Sequence, residues 1–295
     1  MNALRTPPLS KYLLAATLVG WLAGGRTAKA LEDVSFPSLD AAATEVHGVL
    51  VKPVGPGPFP AVVGMHGCGG LFNRQGKLVA RESAWAETLS ARGYVVLFPD
   101  SFGSRHLGGA CADGGPNARP WAERSYDAYG ALRYLQSLPF VIGDRIGLVG
   151  WSHGGGTVLF TVAAATETRP AELPKGDFRA AVAFYPGWCS ARQLGDSWTT
   201  KIPLLLAIGD ADDWTRARPC VERLQSAIDG GAPVRIKTYD GAYHDFDWPG
   251  MVVHSWTPHP DRTVHTGENA EARTDALSRV PAFLDEFLKP RGVEK

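Results

Sequence analysis

The chain has 295 residues, no formal net charge at pH 7 and 44% hydrophobic residues. This length and apolar content predict a single globular domain that buries a full hydrophobic core. Because the charge is balanced and no basic cluster occurs, the sequence does not favour a nucleic-acid-binding protein.

Residues 1–30 are typical of a secretory signal peptide. Basic residues precede an apolar run at residues 12–23, and Ala28 and Ala30 occupy the two positions where a cleavage site requires small residues. A retained membrane anchor is the alternative, but the run is well short of the ~20 residues that span a bilayer. We therefore expect cleavage after Ala30, one mature domain at residues 31–295, a periplasmic or secreted location and no membrane partner after cleavage.

The mature chain alternates between strand and helix patterns. The first two strands resemble an antiparallel hairpin, and the later ones are apolar runs of the kind covered on both faces of a sheet. Strands are predicted at residues 34–36, 45–52, 61–65, 94–98, 146–149, 180–184, 203–208 and 234–239, and helices at 77–92, 120–138, 155–165, 217–228 and 268–288. Pro281 predicts a kink or a break in the last helix, and residues 248–267 are predicted to be irregular. The alternation predicts an α/β domain with a mostly parallel sheet of about eight strands and helices on both faces.

The sequence Gly-Trp-Ser-His-Gly at residues 150–154 lies between a predicted strand and a predicted helix. It fits the G-x-S-x-G nucleophile elbow, in which a serine stands on a tight strand-to-helix turn that the glycines allow. With 34 glycines in the chain, the pattern also arises by chance. Its position between strand and helix favours Ser152 as a nucleophile over a glycine-rich turn without a catalytic role.

Two later turns carry the residue types that would activate such a serine. Asp212 and Asp213 belong to an acidic cluster after one predicted strand, and His244 follows the next strand. A histidine takes the serine proton, and a buried carboxylate orients the imidazole and stabilises its charged form. Since parallel strands bring their carboxyl ends to one edge of a sheet, we expect Ser152, His244 and one acid of this cluster to meet there, with both Asp212 and Asp213 as candidates for the acid.

The segment at residues 66–70 has the sequence His-Gly-Cys-Gly-Gly and follows another predicted strand. Glycine-rich turns of this kind in esterases bind the negative oxygen of the tetrahedral intermediate through a backbone N–H. The expected donors are the N–H groups of Cys68 and of His153, the residue after the nucleophile. An ordinary strand-to-helix loop is the alternative.

Together these segments resemble the dienelactone hydrolase family within the α/β-hydrolase fold. The resemblance is carried by residues 66–70, 150–155, 209–215 and 239–246, in that order along the chain. It implies the α/β-hydrolase fold and a hydrolase that needs no cofactor.

The resemblance also implies roles for individual residues: Ser152 is the nucleophile, Asp212 the acid and His244 the general base. Two positions depart from the family pattern. The best-known cytosolic members use a cysteine nucleophile, so Ser152 favours a general ester hydrolase over an enzyme for dienelactone itself. Arg216 stands where many relatives have proline.

The four cysteines are expected to form disulfides, because an exported protein folds in an oxidising compartment. Each lies just beyond a predicted strand or in the helix that follows one. Pairing the elements nearest in sequence suggests Cys68–Cys111 and Cys189–Cys220. Buried free thiols are the alternative.

Residues that could bind the substrate are less clearly marked. Trp151 lies in the elbow and Arg105 in a long polar loop, so both are candidates, although loop packing and a structural salt bridge explain them equally well. Further tryptophans near the strand ends could line a cleft for an aromatic or polymeric substrate. The spacing of the histidines His254, His259 and His265 matches no zinc pattern, so we expect no metal.

The sequence therefore predicts an exported serine hydrolase that cleaves carboxylic esters or lactones through an acyl-enzyme on Ser152. Its substrate would be a small-molecule or polymeric ester. The alternative is a catalytically silent α/β-hydrolase domain that serves as a ligand-binding module. The oligomeric state is not predicted.

Overall fold

A computed structural model describes residues 31–111 and 118–289 of the chain. The predicted signal peptide, residues 1–30, lies outside the described residues. The strands are β1 (Leu31–Pro37), β2 (Glu45–Val51), β3 (Phe59–Met65), β4 (Val95–Pro99), β5 (Val141–Trp151), β6 (Ala180–Phe184), β7 (Leu204–Gly209), β8 (Val234–Tyr239), β9 (His254–His259) and β10 (Arg262–Thr266). The α-helices are α1 (Ala80–Ala91), α2 (Glu123–Ser137), α3 (His153–Thr161), α4 (Ala191–Leu194), α5 (Ala217–Asp229) and α6 (Ala270–Leu288).

Strands β1 to β8 form one sheet in the order β1-β2-β4-β3-β5-β6-β7-β8. β1 pairs antiparallel with β2, and β2 with β4, whereas all neighbours from β4 to β8 are parallel. β4, β6 and β7 are buried along their whole length, as expected for parallel strands that are covered on both faces. This is the mostly parallel, eight-stranded sheet that the sequence predicts.

Two glycines of β5 show that helices cover both faces of the sheet. Residues 147 and 150 point to opposite faces, because side chains alternate along a strand. A Cβ on Gly147 would meet Leu284 and Leu288 of α6, and a Cβ on Gly150 would meet Val158 of α3. Helices α3 and α6 therefore pack on opposite faces, which confirms the predicted α/β-hydrolase architecture.

Of the kink or break expected at Pro281, the break does not occur, because helix α6 is continuous from Ala270 to Leu288. A proline removes one backbone hydrogen bond and crowds the preceding turn. Here the buried face of the helix, which includes Val280 and Leu284, packs against the sheet. The Asn269 side chain also accepts the Ala272 N–H at 3.0 Å and so caps the first turn. Packing along the whole helix outweighs the local cost of the proline.

The segment expected to be irregular at residues 248–267 contains the antiparallel hairpin of β9 and β10. Its strands are polar and mostly exposed, so they lack the apolar alternation that predicts a strand. Pro258 inside β9 weakens the strand pattern further. The hairpin owes its position to contacts with the turn after β7, which are described below.

Two disulfides link the loops at the carboxyl ends of the strands. Cys68, after β3, is bonded to Cys111 in the loop that follows β4. Cys189, after β6, is bonded to Cys220 in α5. These are the pairs that the order of the elements suggests. Within residues 31–111 and 118–289, no helix is long and apolar enough to cross a membrane.

Candidate active site

Ser152 stands on a strained turn between β5 and α3, with φ 53° and ψ −111°. The turn is possible because its neighbours lack side chains. A Cβ on Gly150 would lie 2.2 Å from the carbonyl oxygen of Gly154, and a Cβ on Gly154 would lie 1.9 Å from that of Met65. The two glycines of the G-x-S-x-G pattern are thus required by close backbone packing, and they leave the Ser152 hydroxyl at the wall of a cavity.

His244 connects Ser152 to Asp212. Its Nε2 lies 2.9 Å from the Ser152 Oγ, and its Nδ1 lies 2.8 Å from Oδ2 of Asp212. Because a carboxylate oxygen accepts hydrogen bonds, Nδ1 carries the proton and Nε2 is the acceptor for the serine hydroxyl. All three side chains are buried, so the hydrogen bonds are shielded from competing water. The three residues expected from the sequence therefore form one continuous hydrogen-bonded chain.

The turn after β7 holds the Asp212 carboxylate in place. Its Oδ1 accepts the backbone N–H groups of Trp214 and Thr215 at 2.9 and 2.7 Å. This leaves Oδ2 directed at His244, with the Thr215 hydroxyl also 2.9 Å from Oδ2. An aspartate that binds N–H groups two and three residues later is a common device of turns, and here it orients the acid.

The alternative acid, Asp213, points elsewhere. Its carboxylate accepts the backbone N–H of His265 and lies 2.8 Å from the Nδ1 of that residue. Both side chains are partly exposed. Asp210 is also turned away, since its Oδ1 accepts the N–H of Gly241 at 2.7 Å. Asp212 is thus the member of this acidic cluster that contacts His244.

The surroundings of His244 favour its charged form. Burial lowers the pKa of the imidazole, but the charge and hydrogen bond of Asp212, together with the charge of Asp245, more than offset it. The pKa of His244 therefore lies above its ordinary value. A histidine that gains a proton readily is suited to accept one from a serine hydroxyl.

The turn at residues 66–70 lies next to Ser152, and both Cys68 and Ser152 line the same cavity. Beneath this turn is Arg124, a fully buried residue of α2 that no sequence pattern marks as part of the site. Its guanidinium donates to the carbonyl oxygen of His66 at 2.7 Å and to Nδ1 of His153 at 2.6 Å. Arg124 therefore joins the two segments that carry the expected N–H donors. A lone arginine in a helix gives no sequence signal for this position.

Arg124 also sets the charge state of its neighbours. Burial lowers the pKa of Arg124 to about 9, so it remains a cation at neutral pH. Burial and the charge of Arg124 lower the pKa of His153 to about 2. His153 is thus neutral, and its Nδ1 is free of a proton and accepts from the guanidinium.

The cavity beside Ser152 has a volume of about 500 Å³ and is lined mainly by apolar and aromatic side chains. Five aromatic and thioether side chains contribute to its wall: Phe72, Trp214, Trp248, Met251 and Trp256. A concave apolar site with a few converging polar groups is the usual form of a small-molecule site.

The β9–β10 hairpin forms one side of this cavity. Trp256 of β9 packs edge-on against Trp214, with ring centroids 4.9 Å apart. Arg262 of β10 donates to the carbonyl oxygens of Asp213 and Trp214. The hairpin is therefore docked on the turn that carries Asp212.

Trp151 does not line the cavity, so the structure does not bring this predicted substrate-binding residue to the site. The indole is fully buried, and its Nε1 donates to Oδ2 of Asp247 at 2.9 Å. Trp85 Nε1 and the Tyr185 hydroxyl donate to the same carboxylate. Trp151 thus belongs to a buried polar cluster around Asp247, which holds the residue that precedes Ser152 in the elbow.

Arg105, the other predicted substrate-binding residue, does not line the cavity either. Its guanidinium binds both carboxylate oxygens of Asp127 at 2.8 Å and Oδ2 of Asp40 at 2.9 Å. These acids neutralise the cation away from the cavity, so the structural salt bridge is the correct interpretation. Across residues 31–111 and 118–289, no cluster of three or more histidine, cysteine, aspartate or glutamate side chains is placed to hold a metal ion.

The mostly parallel sheet, the strained serine turn and the hydrogen-bonded serine, histidine and aspartate are the features of the α/β-hydrolase fold. More specifically, the chain belongs to the dienelactone hydrolase family, whose sequence profile matches residues 46–288.

Individual relatives agree with this assignment. A Bacillus subtilis (strain 168) protein named "Putative hydrolase YtaP" is 31% identical over 119 residues, which are 36% of this chain and 40% of that protein. This chain thus spans less than half of that relative's length.

Two solved structures share the fold. A Klebsiella pneumoniae subsp. pneumoniae protein described as "Putative Dienelactone Hydrolase" has a TM-score of 0.63 at 17% identity, covering 88% of this chain and 100% of that one. Thermogutta terrifontis esterase 2, phosphorylated by paraoxon, has a TM-score of 0.60 at 20% identity, covering 88% of this chain and 96% of that one.

Proposed function

We propose that this hydrolase is an exported serine esterase that cleaves carboxylic esters or lactones through an acyl-enzyme on Ser152. The observation that carries the proposal is the unbroken chain of hydrogen bonds from Ser152 Oγ through His244 to Asp212 at the wall of an apolar cavity. Membership of the dienelactone hydrolase family supports the same chemistry.

In the first half of the reaction, His244 Nε2 takes the hydroxyl proton as Ser152 Oγ attacks the ester carbonyl carbon. The N–H groups of Cys68 and His153 then stabilise the negative oxygen of the tetrahedral intermediate. The imidazolium, paired with Asp212, returns the proton to the departing alkoxide, so an alcohol leaves and the acyl group stays on the serine. With a lactone, the alcohol remains attached to the acyl group.

In the second half, His244 takes a proton from water, and the resulting hydroxide attacks the acyl-enzyme carbonyl carbon. The tetrahedral intermediate collapses, His244 protonates Ser152 Oγ, and the carboxylic acid is released. Each cycle therefore consumes one water. The negative oxygen is stabilised by the two N–H groups, and the imidazolium is stabilised by Asp212.

The lining of the cavity supports an ester with an apolar or aromatic portion, either a small molecule or the end of a polymer. Export is supported by the two disulfides, because such bonds persist in oxidising compartments. The signal-like residues 1–30 support it further.

A fluorophosphonate probe and a panel of esters test the proposal. We expect the mature protein to be labelled, Ser152→Ala to lose both labelling and ester turnover, and the exposed-serine control Ser226→Ala to keep both. The panel should span lactones, aryl esters, acyl-sugars and polyesters. An unlabelled wild type that binds esters without turning them over would instead support the silent ligand-binding module.

A further inference from the structure

The disulfide between Cys68 and Cys111 lies in the wall of the cavity that also holds Ser152. The proposed mechanism uses the backbone N–H of Cys68, not its sulfur. The Cys68 side chain takes no part in that mechanism. Its bond to Cys111 lies next to the Cys68 N–H group and can restrain it.

The segment around Cys68 is held firmly on its N-terminal side. The carbonyl oxygen of His66 accepts from the buried guanidinium of Arg124 at 2.7 Å. The Gly67 carbonyl oxygen, in the peptide that carries the Cys68 N–H, accepts from groups of the same turn: from His66 Nδ1 at 2.7 Å and from the Gly70 N–H at 3.3 Å. These two bonds keep the shape of the turn, while Arg124 holds its N-terminal end on the body of the domain.

The C-terminal side is open. A Cβ on Gly69 or Gly70 would meet no atom of the described residues within 4 Å. Gly70 also has a φ of 89°, a conformation that glycine adopts without a steric cost. Because two glycines follow Cys68, no side chain of this stretch anchors the turn, and its backbone lies instead against Gly109 of the loop after β4.

The loop after β4 supplies the missing restraint. The Ala110 N–H donates to the carbonyl oxygen of Cys68 at 2.7 Å, and the neighbouring Cys111 carries the disulfide. The loop is itself anchored at Arg105, whose guanidinium is paired with Asp127 of α2. The disulfide thus connects Cys68 to a segment that is fixed on the body of the domain.

We propose that Cys111 is a positioning residue for the reaction: its disulfide holds the Cys68 N–H at the oxyanion position, so turnover depends on the thiol redox state. The inference rests on the proposed function. In the reduced protein, Cys68 keeps its backbone donor, but that donor samples orientations that do not meet the negative oxygen. Catalysis is then lost while the cavity that binds the ester remains.

The redox step is a simple exchange. A dithiol such as dithiothreitol transfers two electrons and two protons to the Cys68–Cys111 disulfide, which becomes two thiols, and the reagent becomes a cyclic disulfide. Oxidation reverses the step. Cys111 is a partly exposed residue and lines the cavity beside Ser152.

The first test compares two double variants. In Cys68→Ser/Cys111→Ser we expect kcat to fall by about 10-fold or more, towards the ~10²–10³ loss caused by removal of an oxyanion donor. KM should stay within about two-fold of its wild-type value, because the rest of the cavity wall, including its aromatic side chains, is unchanged. The matched control, Cys189→Ser/Cys220→Ser, removes the disulfide outside the cavity and should lose thermal stability but keep kcat.

A boronic acid inhibitor separates positioning from general stability. It adds to a serine Oγ and places an oxygen in the oxyanion site, so its affinity should fall in parallel with kcat in Cys68→Ser/Cys111→Ser. The affinity of the product acid, which needs no tetrahedral geometry, should change little. A merely structural disulfide would lower the melting temperature and leave both kcat and inhibitor affinity unchanged.

The second test keeps the cysteines. Dithiothreitol added to the Cys189→Ser/Cys220→Ser variant acts on the Cys68–Cys111 bond, and we expect a reversible loss of kcat that reoxidation restores. Full activity in the reduced protein, with both thiols detected by alkylation, would overturn the inference. The proposed function is judged separately, because its failure would appear as an inactive, unlabelled wild type in the oxidised state.

Discussion

Asp213 and His265 are joined by a hydrogen bond of 2.8 Å between Oδ2 and Nδ1, and this bond turns Asp213 away from the imidazole of His244. The neighbouring Asp212 is instead bound to His244. The two adjacent carboxylates therefore have different partners. Asp212 binds His244 of the serine-containing site, and Asp213 binds His265 of the β9–β10 hairpin.

This division predicts unequal effects of the two amide substitutions. Asp212→Asn should lower kcat by about 10⁴, because an amide favours the wrong tautomer of the histidine and does not stabilise the imidazolium. Asp213→Asn is the matched control and should retain kcat within about a few-fold. Steady-state ester hydrolysis measures both. A larger loss in Asp213→Asn would transfer the role of acid to that residue.

The elevated pKa of His244 predicts the pH dependence of the reaction. The base must be neutral, so kcat/KM should fall as the pH drops below the pKa of His244. The midpoint of this acidic limb of the pH profile should lie above 6.5, the ordinary pKa of a histidine. Asp245 stabilises the imidazolium, so Asp245→Asn should move the limb to lower pH. The exposed Asp196→Asn variant serves as the charge-matched control. A limb that moves upward in Asp245→Asn would contradict the electrostatic argument.

Asp247 should be required for stability. Its buried carboxylate accepts from Trp85, Trp151 and Tyr185, so Asp247→Ala leaves three buried donors without their acceptor. We expect a loss of about 3 kcal/mol or more in the free energy of unfolding. Denaturant titration followed by tryptophan fluorescence measures it.

A half-exposed carboxylate provides the comparison for Asp247. Asp275 also accepts from a tyrosine hydroxyl, that of Tyr239, but water reaches the pair. Asp275→Ala should therefore lower the free energy of unfolding by no more than about 1 kcal/mol. Equal losses of unfolding free energy in the two variants would show that burial is not the reason why Asp247 stabilises the fold.

The elbow predicts a strict requirement for glycine at residue 154. A methyl group there would lie 1.9 Å from the Met65 carbonyl oxygen, so Gly154→Ala should destabilise the fold by about 3 kcal/mol or more and abolish turnover. Gly108→Ala is the control, because a Cβ there meets no described atom within 4 Å. Thermal unfolding and ester hydrolysis of both variants test the difference. A Gly154→Ala variant that is stable and active would contradict the packing argument.

Much of the fold could be predicted because its signals are local. The apolar runs that become the parallel strands and the helical patterns between them each lie within a short window, and burial on both faces demands that composition. The elbow around Ser152 and the turns carrying Asp212 and His244 were recognisable for the same reason. Each follows a strand directly, and the carboxyl ends of parallel strands meet at one edge.

Other features depend on contacts between distant segments. The sequence left Asp212 and Asp213 as rivals because they are adjacent and chemically identical. The choice was made by His265, which lies 52 residues beyond Asp213 and captures its carboxylate. In the same way, Arg124 donates to His66 and His153 only because α2 packs beneath the turn, and no local sequence pattern indicates these contacts.

By itself, the sequence determined the parallel sheet, the order of the serine, acid and histidine turns, and the family, since these follow from local patterning and strand polarity. The tertiary structure alone decided that His265 binds Asp213, that Trp151 and Arg105 are bound by acids rather than lining the cavity, and that residues 254–266 form a hairpin. These outcomes depend on which polar groups come within about 3 Å of each other after folding, a distance that spacing along the chain does not encode.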